Sequence, residues 1–164
     1  MELSEEIPIT IQYKFVTGNY IANILNLDVP LCQLPSRGTL SDGQYFAATT
    51  PGQVGFRLFE TKGDYIASVI NHHFSRNSVT HDPYMQICLA IFKGVPVGSL
   101  KSFPRLALIG AQPEEIIHAV DTKLPHLKFV NKGHLGSLIC RRHEPYENFE
   151  DSYWTLARKL YVDP

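Results

Sequence analysis

Residues 37–53, RGTLSDGQYFAATTPGQ, contain several local signals for secondary structure close together. This stretch opens as a glycine-containing loop, and the run Gln44–Ala48 then predicts a short β-strand. Residues 49–51, Thr-Thr-Pro, predict the start of a helix, because a threonine side chain caps a helix and proline fits its first position. We therefore expect a loop, a strand and a helix in succession. The apolar face of the helix would comprise Val54, Leu58 and Phe59.

The residues before this stretch predict a strand followed by a helix. The segment from Ile7 to Val16 alternates β-branched or aromatic side chains with polar ones, as a half-buried strand does. Asn19 is a suitable helix cap. The apolar residues at helical spacing after it are Ile21, Ile24, Leu25 and Leu27. Prolines at 30 and 35 end this helix.

The residues after this stretch predict further helices and strands without a regular strand–helix–strand alternation. Strands are expected at Tyr84–Phe92, which is apolar almost throughout, and at Leu106–Ile109, Leu127–Val130 and Leu135–Cys140. Helices are expected at Asp64–Phe74, from Pro113 to Val120, and over an amphipathic segment with Tyr153, Trp154, Ala157, Leu160 and Tyr161. This order favours an α+β domain over a doubly wound sheet.

Length and composition indicate one folded domain over residues 1–164. The 164 residues are 44% hydrophobic and 19% charged, which is enough apolar material for a core. The formal net charge of −1 gives no electrostatic reason to expect duplex nucleic acid or an anionic membrane as a partner.

Targeting signals and cysteines predict a cytoplasmic protein. Residues 1–6 contain three acids and no basic group, so no ordinary secretory signal is expected, although a mature chain already trimmed of its signal would have the same pattern. No window approaches 18 uninterrupted apolar residues, so no transmembrane helix is predicted. Cys32, Cys88 and Cys140 are an odd, widely spaced set, which indicates structural thiols in a reducing compartment.

Residues 14–62 also carry a resemblance, which covers about a third of the chain and fades after Phe92. A strand with Phe15-Val16-Thr17-Gly18 precedes a helix of the Tyr20-Ile21-x-x-Ile24-Leu25 type, and Asp42-Gly43-Gln44-Tyr45-Phe46 and Pro51-Gly52 follow. This order resembles the NAD-binding half of ADP-ribosyltransferases, and most of all the HYD1-type branch of bacterial toxin domains. The resemblance implies an α+β fold with a split, mostly antiparallel sheet flanked by helices. It also implies transfer of ADP-ribose from NAD to an unidentified macromolecular or nucleotide acceptor.

The resemblance implies a nicotinamide site formed by two aromatic rings. Tyr45 matches the family tyrosine that stacks on nicotinamide, and Phe56 lies where a second ring closes the other face. An aromatic face suits a flat cationic ring, because the ring quadrupole attracts positive charge. Gly43 would let the backbone approach the ligand closely.

Further residues would contact the rest of NAD. Lys14 stands where the family has a histidine; it cannot accept a hydrogen bond, but it can donate to a ribose hydroxyl or pair with a phosphate. Thr17 is placed on the same ribose or phosphate side, and Arg37 can bind a pyrophosphate with its two-pronged guanidinium. The catalytic carboxylate of the family comes from a later strand; Glu144 is the first candidate here, followed by Glu147 and Glu150.

Each of these residues also has a purely structural interpretation, which keeps two other functions open. Tyr45 and Phe56 would then be ordinary core aromatics, and the charged residues would be solvated. Loss of the family histidine favours a catalytically degenerate nucleotide-binding or protein-interaction module that kept the scaffold. The third hypothesis is an interaction or immunity-type protein unrelated to NAD.

Other candidate sites are weaker. The seven histidines show no metal-ligand spacing, so no metal is expected. His73-Phe74-Ser75 matches one half of a two-histidine phosphoesterase motif, but the second half is missing. A basic and aromatic patch for single-stranded nucleic acid would comprise Lys128, Phe129, Lys132, His134, Arg141 and Arg142; the near-neutral net charge favours solvated strand ends instead.

Overall fold

The computed structural model describes residues 7–40, 43–131 and 136–142. Its strands within these ranges are β1 (Lys14–Thr17), β2 (Arg37–Thr39), β3 (Tyr45–Ala48), β4 (Gly55–Phe59), β5 (Val95–Pro96), β6 (Leu127–Asn131) and β7 (Ser137–Arg141). Its α-helices there are α1 (Gly18–Leu25), α2 (Lys62–His73), α3 (Arg76–Thr80), α4 (Pro83–Ile87), α5 (Val97–Leu100), α6 (Pro104–Ala107) and α7 (Pro113–Lys123). Short 3₁₀ turns lie at Leu31–Gln33 and Pro51–Gln53, and a π-helical turn lies at Cys88–Phe92.

These strands form two antiparallel sheets. The first sheet has the order β1-β4-β3-β2 and the second has the order β5-β7-β6. The described residues thus form one α+β domain, which confirms the predicted class at this level. Side chains alternate between the two faces of a sheet. We call the two faces of the first sheet the α1 face and the α2 face, after the helix that packs on each.

The α1 face holds the smaller of two cores. Ile21 of α1 is fully buried against the apolar side chains of the sheet, which include Phe46, Phe56 and Leu58. The helix begins after Thr17, whose hydroxyl accepts the N–H of Tyr20 at 3.2 Å. The cap is therefore Thr17 rather than the predicted Asn19. The Thr17 hydroxyl, one residue before the helix, is the acceptor for an N–H group of the first turn that has no acceptor within the helix.

The α2 face holds the larger core, which joins the two sheets. Helix α2 lies between the first sheet and α7, and α7 in turn contacts β6 of the second sheet. The buried apolar side chains of this core include Phe59, Tyr65, Ile66, Ile70, Ile116, Val120, Leu127 and Ile139. Helix α2 therefore covers the α2 face at β3 and β4.

The helix predicted from residue 49 is wrong. After Thr50 the chain makes only one 3₁₀ turn and then enters β4. Gly52 and Gln53 have φ angles of 72° and 57°, and this left-handed conformation stops a right-handed helix. Phe56 therefore lies on a strand and not on the expected helix.

The strands predicted at Tyr84–Phe92 and Leu106–Ile109 are also wrong. Asp82 accepts the N–H of Met85 at 3.2 Å, and Pro83 occupies the first position of α4. Pro104 opens α6 in the same way. A short apolar run does not distinguish a buried strand from a buried helix, and the proline at the start decides for the helix in both places.

Several other predictions are confirmed, with shifted ends. These are β3, α2, α7, β6 and β7. The first strand begins only at Lys14, and the loop expected at residues 37–39 is strand β2. The predicted C-terminal helix falls beyond residue 142, outside the described part of the chain.

The remaining predictions concern the state of the cysteines and the presence of a transmembrane helix. None of the three cysteines forms a disulfide; Cys88 is buried, Cys140 is half-buried and Cys32 is exposed. Burial raises the pKa of the Cys88 thiol above its ordinary value. None of the helices in the described ranges is both long enough and apolar enough to span a bilayer.

Candidate functional site

One row of side chains crosses the α2 face of the first sheet. The antiparallel registers pair Phe15 with Arg57, Arg57 with Ala47, and Ala47 with Arg37. Residues that are directly paired point to the same face of a sheet. Because the alanine side chain is only a methyl group, the row has a depression at Ala47 with an arginine on either side.

Helices α2 and α6 close this depression into a cleft of about 430 Å³. Helix α2 contributes Tyr65, Ser68 and His72, which share one helix face because they are three and four positions apart. Helix α6 contributes Arg105. We call this space the arginine cleft; its polar lining residues are Arg37, Thr49, Arg57, Tyr65, Ser68, His72 and Arg105.

The arginine cleft concentrates positive charge. Arginine stays protonated at any physiological pH, so three guanidinium cations line the space. Burial raises the pKa of the Tyr65 hydroxyl above its ordinary value, while the charges of Arg37 and Arg105 act in the opposite direction. Tyr65 is therefore a neutral hydroxyl near two cations. Among the described residues, no aspartate or glutamate lines the cleft.

Aromatic contacts hold one of the arginines in place. The guanidinium carbon of Arg57 lies 5.5 Å from the centroid of the Tyr13 ring, which is a cation–π contact. The Tyr13 ring in turn packs on Phe59 of β4 at a centroid distance of 5.9 Å. The Arg57 side chain is thus fixed over the α2 face.

The donor set of the cleft suits an anion with several oxygen atoms. A guanidinium binds phosphate or carboxylate oxygens through paired N–H donors in a fixed geometry. The hydroxyls of Tyr65 and Ser68 and the imidazole of His72 add further hydrogen-bonding groups. In the described ranges, no group of three His, Cys, Asp or Glu side chains is arranged to hold a metal ion.

The predicted nicotinamide sandwich of Tyr45 and Phe56 is not formed. Tyr45 pairs with Phe59 across the sheet, and Phe56 precedes Phe59 by three residues on β4. An odd spacing along a strand places side chains on opposite faces. The Tyr45 ring therefore lies on the α2 face and the Phe56 ring on the α1 face, so the prediction that they enclose a flat ligand is wrong.

Each of the two rings packs on another aromatic ring instead. Tyr45 is half-buried, and its centroid lies 5.3 Å from that of Tyr65 with the planes tilted by 33°. Phe56 is fully buried, and its centroid lies 5.7 Å from that of Phe46. Tyr45 adjoins the arginine cleft through Tyr65, whereas Phe56 belongs to the core under α1.

Of the other predicted site residues that the structure describes, only Arg37 lines the arginine cleft. Lys14 projects from the α1 face, and its ammonium forms an exposed ion pair with Glu60 at 3.1 Å. Thr17 caps α1, and Gly43 is an exposed turn residue with a φ of 77°. The structure therefore does not gather Lys14 with Arg37. The candidate carboxylates, which are Glu144, Glu147 and Glu150, belong to the part of the chain that is not described.

Apart from Arg37, the polar residues that line the cleft were not predicted as site residues; they are Thr49, Arg57, Tyr65, Ser68, His72 and Arg105. The alternation of apolar and other residues over Gly55–Phe59 is typical of a strand, and it would have placed Arg57 on the face opposite Phe56 and Leu58. The prediction of a helix over this segment gave no such placement. No local pattern brings Arg105 to the sheet, because only tertiary packing places α6 beside α2.

Comparisons with protein-family models, with curated proteins and with solved structures find no match to this chain.

Proposed function

We propose that this protein binds a phosphate-bearing nucleotide in the arginine cleft. The observation that carries the proposal is the convergence of Arg37, Arg57 and Arg105, from β2, β4 and α6, on one cleft. Phosphate has more oxygen atoms and can carry more negative charge than a carboxylate, so one phosphate can bind more than one guanidinium group.

The size of the cleft supports a ligand larger than a single phosphate. A volume of about 430 Å³ falls in the usual range for small-molecule sites, roughly 300–1,000 Å³. Arg37 and Arg57 are two strands apart, so their backbones are separated by roughly 10 Å, given the usual spacing of strands. Two linked phosphates can contact both arginines at once. NAD and ADP-ribose, which contain such a pyrophosphate, are the first ligands to test.

ADP-ribosyl transfer from NAD, in an ADP-ribosyltransferase-like fold, demands more than phosphate binding. It needs a seat for nicotinamide and a carboxylate that stabilises the oxocarbenium-like transition state. The seat formed by Tyr45 and Phe56 is absent, and Glu144 is not described. The nucleotide-binding module that lost the family histidine is thus the function that the geometry supports best. Release of nicotinamide from NAD is the added step that separates an enzyme from a binding module.

Calorimetric titration tests the proposal. NAD, ADP-ribose and inorganic pyrophosphate are titrated into the wild type, Arg37→Ala and Arg57→Ala. The matched control is Arg76→Ala, an exposed arginine of α3 outside the cleft. A charge-assisted hydrogen bond contributes about 1.5–3 kcal/mol, so each cleft variant should lose about tenfold or more in affinity for all three ligands.

The outcomes separate the three functions. Saturable binding that depends on Arg37 and Arg57, without nicotinamide release, supports the binding module. Binding accompanied by nicotinamide release, detected by chromatography, supports the transferase. No binding at millimolar ligand, or equal loss of affinity in Arg76→Ala, contradicts nucleotide binding in the arginine cleft.

A further inference from the structure

Phe15 is an exposed aromatic ring beside the arginine cleft. It is 71% exposed on β1, which forms one edge of the first sheet. Single exposed apolar side chains are common on protein surfaces. What distinguishes Phe15 is its position: its cross-strand partner is Arg57, so the ring stands on the α2 face next to an arginine of the cleft.

The Phe15 ring is held by its neighbours while most of its surface stays open. Its centroid lies 5.2 Å from that of Tyr13, with the planes at 88°, an edge-to-face contact. The same Tyr13 ring contacts the Arg57 guanidinium. Phe15, Tyr13 and Arg57 therefore form a continuous strip from the edge of the sheet to the cleft.

We infer that the base of a bound nucleotide stacks on Phe15 while its phosphates bind between Arg57 and Arg37. The inference rests on the proposed function, because it adds a base site to the phosphate site. Adjacent strands are 4.7–4.9 Å apart, so Phe15 lies roughly 10 Å from Ala47 on the floor of the cleft. A nucleoside diphosphate carries its base and its terminal phosphate at opposite ends and can span this row.

The ligand class follows from the two halves of the site. Three arginines select for linked phosphates, and an exposed ring adds affinity for any flat aromatic base, since every base has a π face. Stacking of one base on an aromatic side chain changes affinity by a factor of about 10 or more. The site thus takes a nucleoside diphosphate or a dinucleotide, in preference to a phosphate group on a peptide.

Paired titrations with ADP and inorganic pyrophosphate test the stacking. The variants are Phe15→Leu, which keeps an apolar side chain without a ring, and Phe15→Trp, which keeps a ring. The control is Tyr20→Leu on α1, where the tyrosine is 44% exposed. Phe15→Leu should weaken ADP binding about tenfold and leave pyrophosphate binding unchanged. Phe15→Trp should retain ADP affinity, and Tyr20→Leu should change neither.

The result that overturns the inference differs from the one that overturns the proposed function. Equal effects of Phe15→Leu on ADP and pyrophosphate, or no effect on ADP, rule out stacking while phosphate binding still depends on Arg37. A wild type that binds neither ligand rules out both. The tryptophan fluorescence of F15W, corrected for the wild type, is a second readout. It should change with ADP and not with pyrophosphate, and unchanged emission at saturating ADP counts against stacking.

Discussion

At the scale of single residues, Phe56 and Tyr45 lie one strand apart and belong to different environments. We expect Phe56→Ala to lower the free energy of unfolding by about 4 kcal/mol, because it leaves a cavity in the core under α1. Urea denaturation measures this loss. The matched control is Val54→Ala, at a side chain that is 55% exposed, where the change should stay within about 0.5 kcal/mol.

The ligand affinity of a milder variant completes this test. Phe56→Leu keeps most of the side-chain volume and should bind NAD and pyrophosphate like the wild type, because the ring faces away from the arginine cleft. A variant that keeps its stability but loses NAD binding would show that the ring faces a ligand, as the resemblance implies.

Sequence predicted part of the residue-scale picture. Arg37 lines the cleft, although it lies on β2 rather than in the expected loop. Its contact with a pyrophosphate stays a prediction. The faces of Tyr45 and Phe56 could not be predicted while residue 56 was assigned to a helix. Cross-strand register decides the face of a side chain, and register is a property of the partner strand as much as of the residue itself.

At the scale of elements, the Asp64 carboxylate joins three segments of the chain. The side chain is 5% exposed at the start of α2. It accepts the N–H of Gln12 at 3.0 Å and the hydroxyl of Thr61 at 2.6 Å, and it pairs with the Lys123 ammonium of α7 at 3.0 Å. Burial alone would raise the pKa of Asp64, but these three partners outweigh it and hold the pKa below its ordinary value.

Asp64→Asn should therefore destabilise the domain and change its response to acid. At pH 7 we expect a loss of about 3 kcal/mol, because Lys123 keeps its charge without its partner. The pKa of Asp64 is lower in the folded state, so its stabilisation is complete above the unfolded value of about 3.9 and is lost as the pH falls further. Urea denaturation at about pH 7 and pH 3 should show the wild type and the variant converging in acid.

A second ion pair between the same helices is the control for this prediction. Lys62 pairs with Glu115 at 3.0 Å, but the two side chains are 31% and 37% exposed. Solvent screens such a pair, so Glu115→Gln should cost at most about 1 kcal/mol. Equal effects of Asp64→Asn and Glu115→Gln, or a constant gap at all pH values, would contradict a stabilising buried carboxylate.

Helices could be predicted where the helical spacing of apolar residues extends over several turns or where a capping signal marks the start. Helices α2 and α7 carry apolar residues at helical spacing, and both are found. Residues 84–92 could not be assigned by periodicity, since a nearly continuous apolar run fits a buried strand as well as a buried helix. The capping residue Asp82 and the proline at position 83 are the signals that indicate a helix here.

At the scale of the whole molecule, the arginine cleft exists only after the chain has folded. Its lining residues come from positions 37, 47–49, 57, 59, 65–72 and 105, mainly on three strands and two helices. No local pattern contains this arrangement, because each arginine by itself is an ordinary partly exposed side chain. The packing of α2 and α6 over the α2 face brings the three positive charges together, and so this site lay beyond prediction from sequence.

A crystal structure of the protein grown with ADP-ribose would show where the nucleotide binds. We expect the pyrophosphate oxygens to lie about 3 Å from guanidinium nitrogens of both Arg37 and Arg57, which is hydrogen-bond distance. ADP-ribose bound elsewhere on the protein, or bound with both of these side chains directed away from its phosphates, would contradict the assignment of the arginine cleft as a nucleotide site.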